Sequence, residues 1–337
     1  MAAAPADEAR CAIASPMNPV RVLAAATAME LSAVVALLAV GGLFGFRSGW
    51  LDVINNFAPV LVGLALVGAA LALIALDRGP TRAVTLGLAA FGALYGLAIM
   101  APDFVQSFQS RDAKGTALKV LSTNVWSGNV DPNAAIAQII ARDPDVVLMQ
   151  ETNGRIGAGF AQLQTRYPHI TDCGGNGVRI FTKTPILAQG CGWDGRSRAL
   201  LDMAWAQVAG PDGRPLTLVT AHFNWPFPPG MQAIQRQILQ DNIERLPGDV
   251  VLAGDFNTTP WSFAMRRQDA MLAPLVRRTH GLFSWPARIN PIRRSWPAPM
   301  MPIDHLYCGP NWTANRVSSF RMPGSDQFAI EAILVRR

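Results

Sequence analysis

Apolar and polar positions follow one another on two different scales along this chain of 337 residues. In the first hundred residues the apolar positions run together. Val22 to Phe44, Phe57 to Leu76 and Ala83 to Met100 are almost uninterrupted, and each approaches the roughly 20 residues that cross the hydrocarbon core of a bilayer. The breaks between them, Arg47-Ser48-Gly49 and Asp77-Arg78-Gly79-Pro80, combine charge with turn formers, as membrane loops do. Three transmembrane helices are predicted. A cleaved signal peptide accounts for the pattern less well, because the first run is long for a signal sequence and two more follow it. Glu30 interrupts the first run; in lipid it has to face other helices or reach the interface.

After Gly115 the scale shortens. Leu118 to Ser122, Val146 to Met149, Val178 to Thr182, Leu201 to Val208, Leu216 to Ala221, Val250 to Ala253, Ile303 to Tyr307 and Ile330 to Val335 have the length and β-branched content of strands. Pro132 to Ala141 reads as a helix, and so does Gln232 to Leu246, where Ile234, Ile238, Leu239 and Ile243 recur at helical spacing. Trp285 to Pro302, rich in Pro, Arg and Trp, reads as a long loop. The class is α/β, with many strands and fewer helices. The division that follows is an N-terminal tail (1–20), a membrane anchor (21–101), a linker (102–115) and one domain (116–337).

Composition sharpens this picture. At 50% hydrophobic and 15% charged the chain is too apolar for a disordered protein. Up to Gly115 the seven basic and seven acidic residues cancel, so the net charge of +6 belongs to the C-terminal domain. With the N-terminus inside, Arg10, Arg21, Arg78 and Arg82 lie on the cytoplasmic side and Arg47, Arg111 and Lys114 on the other. That bias places the domain outside the cytoplasm, on a multi-pass protein of the cell (inner) membrane. Four cysteines show no metal-ligand spacing. Cys173 and Cys191 are either a disulfide, suited to an extracytoplasmic domain, or two reduced buried cysteines.

Polar residues recur where the strands end. Asn124 follows the first strand and Glu151 the second; His222 ends another, Asp255 and Asn257 follow the next, Asp304 and His305 lie in IDHLY, and Ser325-Asp326-Gln327 precedes the last. One such residue is most often a turn former or a cap. Six strand ends carrying Asn, Glu, His, Asp-x-Asn, Asp and Ser-Asp together supply hard oxygen ligands for Mg²⁺ or Mn²⁺ and donors for an oxyanion, which phosphoryl chemistry needs.

The series LKVLSTNVW, PDVVLMQET, LVTAHFN, VVLAGDFNTTP, PIDHLY and GSDQ resembles the endonuclease/exonuclease/phosphatase superfamily over nearly all of 116–337. The resemblance implies the DNase I-like fold, a four-layered α/β sandwich of two mixed β-sheets flanked by helices, with a divalent-metal phosphoesterase site at the sheet ends. It implies metal-site roles for Glu151, Asn124 and Asp326, with Mg²⁺ (or Mn²⁺) as cofactor. Asp255 matches the residue that orients or deprotonates water, Asn257 the amide that stabilises phosphorane oxygens, His222 a phosphate contact, and Asp304 the residue that orients a terminal histidine. That histidine is absent: the family's Ser-Asp-His reads Ser325-Asp326-Gln327 here. Gln donates a hydrogen bond but shuttles no proton. Trp126 stands where some nuclease relatives carry a second acid.

Asn224, Arg293 and Arg294 are candidate substrate contacts, the last two within a cluster of Arg277, Arg278, Arg288, Arg293 and Arg294 interleaved with Trp285 and Trp296. Such a cluster holds phosphate and stacks on bases, or docks a basic face on an anionic membrane. His305 reads as structural, His169 and His280 as surface residues. The function expected is a membrane-anchored, metal-dependent phosphodiesterase acting on nucleic acid or a phospholipid headgroup, with the bilayer as partner and no obligate protein partner; the alternative is a weakened or non-catalytic phosphate-binding module.

Overall fold

The computed structural model describes residues 18–108, 112–171, 173, 177–192, 200–289 and 294–337. Its N-terminal part is helical: α1 (Pro19–Leu43), a 3-10 turn (Phe44–Phe46), α2 (Gly49–Asn55), α3 (Ala58–Ala75) and α4 (Pro80–Ser107). The side chain of Asn18 caps α1 by accepting from the Val20 amide, and Pro19 pre-sets the first turn. Three of these helices are long and apolar enough to cross a membrane. They approach one another over small residues: a Cβ on Gly92 would meet Val35 at 2.3 Å, and one on Gly68 would meet Ser32 at 2.8 Å. Close backbone approach of this kind is how helices associate in lipid. Glu30 is exposed on α1 and does not pack against the other helices, because Ala28, Ser32, Val35 and Ala39 occupy the buried face.

The third apolar helix does not stop near Met100. It runs on to Ser107, so residues 102–107 are helix and not linker. Asp103, which read as part of the linker, meets polar partners in the C-terminal domain. Asp103 is buried and accepts from Arg277 Nη1 at 2.8 Å and the Gly281 amide at 2.8 Å, with His280 Nδ1 at 3.0 Å. His280 is therefore an interior contact of the interface and not a surface residue. The short helix α2 contributes too: Asp52 accepts from the amides of Phe263 and Ala264 at 2.8 and 2.7 Å, and Asn56, just past it, accepts from the Thr259 amide at 2.8 Å. Trp261 packs with Ala58 and Met100 in a small apolar cluster between the two parts.

The domain alternates strands β1 (Ala117–Asn124), β2 (Val146–Gln150), β3 (His169–Ile170), β4 (Val178–Thr182), β5 (Ile186–Cys191), β6 (Asp202–Ala209), β7 (Pro215–His222), β8 (Asp249–Asp255), β9 (Val276–Arg277), β10 (Arg288–Ile289), β11 (Arg294–Ser295), β12 (Asp304–Cys308), β13 (Trp312–Arg321) and β14 (Phe328–Arg336) with helices α5 (Pro132–Arg142), α6 (Phe160–Gln164), α7 (Pro229–Ile243) and α8 (Phe263–Met271). Two six-stranded mixed sheets result, β13-β14-β1-β2-β4-β3 and β5-β6-β7-β8-β12-β9. Their facing sides share one core, to which Val146 and Leu148 of β2 and Val251 and Ala253 of β8 contribute. The alternate residues point outward: Val147 and Met149 pack with Ile136 and Ile139 of α5, and Val250 and Leu252 with Ile238 and Leu239 of α7. Period-two alternation that is apolar on both faces thus builds four layers, helix, sheet, sheet and helix.

Cys173 and Cys191 form a disulfide, Cα to Cα 5.6 Å. The stretch read as a loop from Trp285 to Pro302 contains the β10-β11 hairpin, and β13 and α8 were not expected from the sequence. Trp261 is almost fully buried across the joint between helices and domain. Trp261→Ala is expected to destabilise the detergent-solubilised full-length protein by about 3–5 kcal/mol, read as a lowered midpoint of thermal unfolding.

Candidate active site at the strand rim

The two parallel pairings explain why the candidate residues meet. β1 lies parallel to β2, with Asn124 opposite Gln150, and β7 parallel to β8, with His222 opposite Asp255. These four strands therefore present their last residues, or the residue just beyond, on one rim. The antiparallel neighbours enter from that rim and present their first residues: Asp304 of β12 opposite Asp255, and Asp202 of β6 opposite His222. Gln327 immediately precedes β14. Asp202 escaped the sequence reading because an acid at a strand start looks like a turn residue; its register with His222 reveals it.

Asp255 is the centre of the cluster and has no exposed surface. Its Oδ1 accepts from the Asn257 amide at 2.8 Å, and its Oδ2 from Asn124 Nδ2 at 3.0 Å and Gln327 Nε2 at 2.7 Å. Asn124 also donates to Glu151 Oε1 at 2.9 Å, while its own oxygen accepts from the Trp126 amide at 2.8 Å. Asn124 is thereby a clamp between two carboxylates. The second Glu151 oxygen accepts from the Ser127 amide at 2.9 Å. His222 Nε2 stands between them, 3.8 Å from Glu151 Oε1 and 3.8 Å from Asp255 Oδ2. Asn257 donates one amide hydrogen to the Phe223 carbonyl at 2.8 Å, which leaves the other free.

The backbone is held in the left-handed region at Trp126, Glu151 and Asn257, with φ of 57°, 55° and 48°. For residues other than glycine this costs free energy, and it persists where surrounding contacts over-determine it. Gly254 answers a different demand: a Cβ there would lie 1.9 Å from the Ala221 carbonyl oxygen, so β7 and β8 approach too closely for any side chain at that point.

Burial pushes the Asp255 carboxyl up, opposed by His222 and by the donors Gln327, Asn124 and the Asn257 amide. Asp304 is driven much further, by burial and then by the charge of Asp255, with little offset from the Ser284 hydroxyl; neither of its oxygens has a hydrogen bond of ordinary geometry. Asp326 is pushed up to about 7, by burial first and then by Glu151 and Asp255, and its Oδ1 is buried without a partner. Burial alone also raises Asp202, partly offset by His222.

The remaining candidates scatter. Asn224 is exposed and engaged with α7, its amide donating to Gln235 Oε1 at 3.0 Å. Arg294 is exposed on the β10-β11 hairpin, which hangs from the rim by the bond from the Ala287 amide to the Asp326 carbonyl, 2.6 Å. Arg293 lies outside the described residues. The arginine cluster read from the sequence divides: Arg277 is buried against Asp103, and Arg278 bonds Cys308 and the Trp312 carbonyl. His305 is structural, its ring between the Thr279 hydroxyl and the Thr258 carbonyl, and His169 pairs with Thr182 in the short strand β3.

The Endonuclease/Exonuclease/phosphatase family matches residues 121–327, more than half of the chain and every element of this rim. The chain belongs to the Endonuclease/Exonuclease/phosphatase family. Solved structures agree on the fold. Danio rerio TDP2 bound to a single-stranded DNA product is 17% identical with a TM-score of 0.55, over 65% of this chain and 99% of that one. An endonuclease/exonuclease/phosphatase from Bacteroides vulgatus is 16% identical with a TM-score of 0.52, over 66% of this chain and all of that one. The mannosyl-6-phosphatase Bt3783 of Bacteroides thetaiotaomicron is 16% identical with a TM-score of 0.50, over 65% and 99%. No curated protein sequence matches the chain.

Among the described residues of this family member, no three His, Cys, Asp or Glu side chains converge into a ready ligand cage. The donor set nonetheless fits a hard divalent cation. Glu151 keeps lone pairs on both oxygens, Asp326 Oδ1 has no protein donor, and burial with the neighbouring carboxylates raises Asp326, a strain that a cation would relieve. The raised Asp326 gives a sign to pH dependence. Between about 4 and 7 the folded state holds a proton there that the unfolded state has released, so metal-free stability falls as pH rises through that window. In EDTA at pH 7, Asp326→Asn is expected to melt a few degrees above wild type and to show a shallower slope, the other raised acids supplying the rest, measured by thermal unfolding from pH 5 to 8.

Proposed function

We propose that the chain is a membrane-anchored phosphodiesterase that uses Mg²⁺ or Mn²⁺ to hydrolyse a phosphodiester. The observation that carries this reading is the gathering of Asn124, Glu151, His222, Asp255, Asn257, Asp304, Asp326 and Gln327 on one rim of two sheets. Glu151 and Asp326 would hold the cation, which when bound would supply charge neutralisation at the phosphate. Asp255, with a lone pair left on Oδ1, takes the proton from the attacking water. Asn257 offers its free amide hydrogen to a phosphoryl oxygen. His222, placed 3.8 Å from both carboxylates, donates to the phosphate or the leaving group. Asn124 and Gln327 hold Asp255 in orientation rather than touching substrate.

Membrane attachment rests on the three apolar helices, and an extracytoplasmic domain on the positive-inside bias together with the Cys173–Cys191 disulfide, a bond suited to oxidising compartments. Two substrate classes fit. The basic domain suits nucleic acid, whose phosphates drive salt-dependent binding. The helices, by holding the rim near a bilayer, suit a phospholipid headgroup. Gln327 favours a second reading, a binding module with little turnover, since an amide supplies neither a cation nor a proton at that place.

The full-length protein in detergent, assayed with bis-p-nitrophenyl phosphate and Mg²⁺ or Mn²⁺, is expected to turn over. Asp255→Ala and Glu151→Ala are expected to lower the rate by about 10²-fold or more, and Gln327→His to raise it. Activity confined to Gln327→His would favour the binding module. Silence from wild type and Gln327→His alike, on this ester and on DNA and lipid substrates, would end the hydrolase reading.

A further inference from the structure

A cavity of about 410 Å³ opens between the N-terminal helices and the domain, lined by none of the catalytic-rim residues. Its helix side is Gly49, Trp50 and Asp52 of α2; its domain side is the Pro226–Pro229 turn with Arg236 of α7 and Arg267 of α8. Both arginines reach the same space, where the cavity wall offers them one acid, Asp52. Arg236 forms no ion pair within 4 Å among the described residues, and it is pulled down to about 10 by burial and by the nearby Arg267, with Asp52 opposing. Arg267 pairs with Asp52 at 4.0 Å, a carboxylate that also accepts from the Phe263 and Ala264 amides and from Asn55 Nδ2. Two guanidinium groups against a single carboxylate leave the pocket with an unmatched positive charge.

The setting says which kind. α2 joins the first two apolar helices, so on the membrane-spanning reading, which this inference rests upon, the cavity mouth sits at the depth of the lipid headgroups. Trp50 and Phe227 flank it, 59% and 62% exposed, their rings edge to face at 5.1 Å; aromatic side chains of this kind concentrate at the membrane interface. The volume accommodates a headgroup, and guanidinium groups match phosphate oxygens. We infer that Arg236 and Arg267 form a second phosphate site, distinct from the catalytic rim, that seats the headgroup phosphate of an anionic phospholipid. The inner wall of the cavity is Thr258, next in sequence to Asn257, and its hydroxyl is tied to Gln232 at 2.8 Å. A lipid seated here would brace the segment that carries Asn257.

The test is thermal unfolding of the full-length protein in a neutral detergent, titrated separately with phosphatidylglycerol, phosphatidylcholine and inorganic phosphate. Phosphatidylglycerol is expected to raise the midpoint, and its apparent affinity to fall about tenfold for each of Arg236→Gln and Arg267→Gln. Ala233→Trp, which fills the cavity mouth and leaves both charges, is expected to abolish the effect, and Arg316→Gln, which removes an exposed charge on the other sheet, to leave it intact. If inorganic phosphate alone reproduces the shift with the same arginine dependence, the site stands and its ligand is a free phosphate. A shift that survives both arginine substitutions and Ala233→Trp, or no shift with either anion, overturns the proposal. Release of the protein from membranes without detergent would instead remove the membrane reading on which the lipid assignment rests, and is scored separately.

Discussion

A carboxylate with no exposed surface has to be surrounded by hydrogen-bond donors, and Asp255 draws its donors from both sheets. Asn124 reaches it from β1 and Gln327 from the edge of β14, while the Asn257 amide comes from its own strand end. Satisfying one buried charge therefore fixes the relative positions of the two sheets at the rim. Each residue so recruited belongs to the same constellation, which is why the amide at 327 is structurally sound even though it changes the available chemistry.

The same strand end continues into the interface with the helices. Within seven residues of Asp255 the chain passes through Asn257, Thr258, Thr259 and Trp261, and the last two are held by Asn56 and by the apolar cluster with Ala58 and Met100. A second connection runs from Asp103 through Arg277 to the Thr279 carbonyl, and from the Thr279 hydroxyl through His305 to the Thr258 carbonyl. Both connections end on the segment that carries Asn257. The geometry of the rim is thus set partly by side chains of helices that contain none of its chemistry.

The rim was legible in the sequence because each of its residues follows or precedes a short β-branched run, and the parallel pairs β1/β2 and β7/β8 convert that position into proximity. Asp202 was not legible, since only antiparallel register with His222 brings it there. The interface was hidden for a different reason. Asn56 and Thr259 are 203 residues apart, as Asp103 and Arg277 are 174 apart, and a polar stretch after an apolar helix looks like a tether until its partner is known. Arg277 and His280 suffered the same misreading from the other side: charged residues in an irregular stretch look solvated, whereas both answer one buried aspartate.

Arg277 has almost no exposed surface, and its charge is met by Asp103 from the helices and by Asp269 from α8. Severing the chain ahead of the domain would strip away Asp103 together with Asp52, whose carboxylate holds the first two amides of α8, leaving a buried cation half answered and two amides bare. The boundary between the two parts is consequently closed by bonds from both sides, and buried groups of the domain depend on side chains of the helices that precede it.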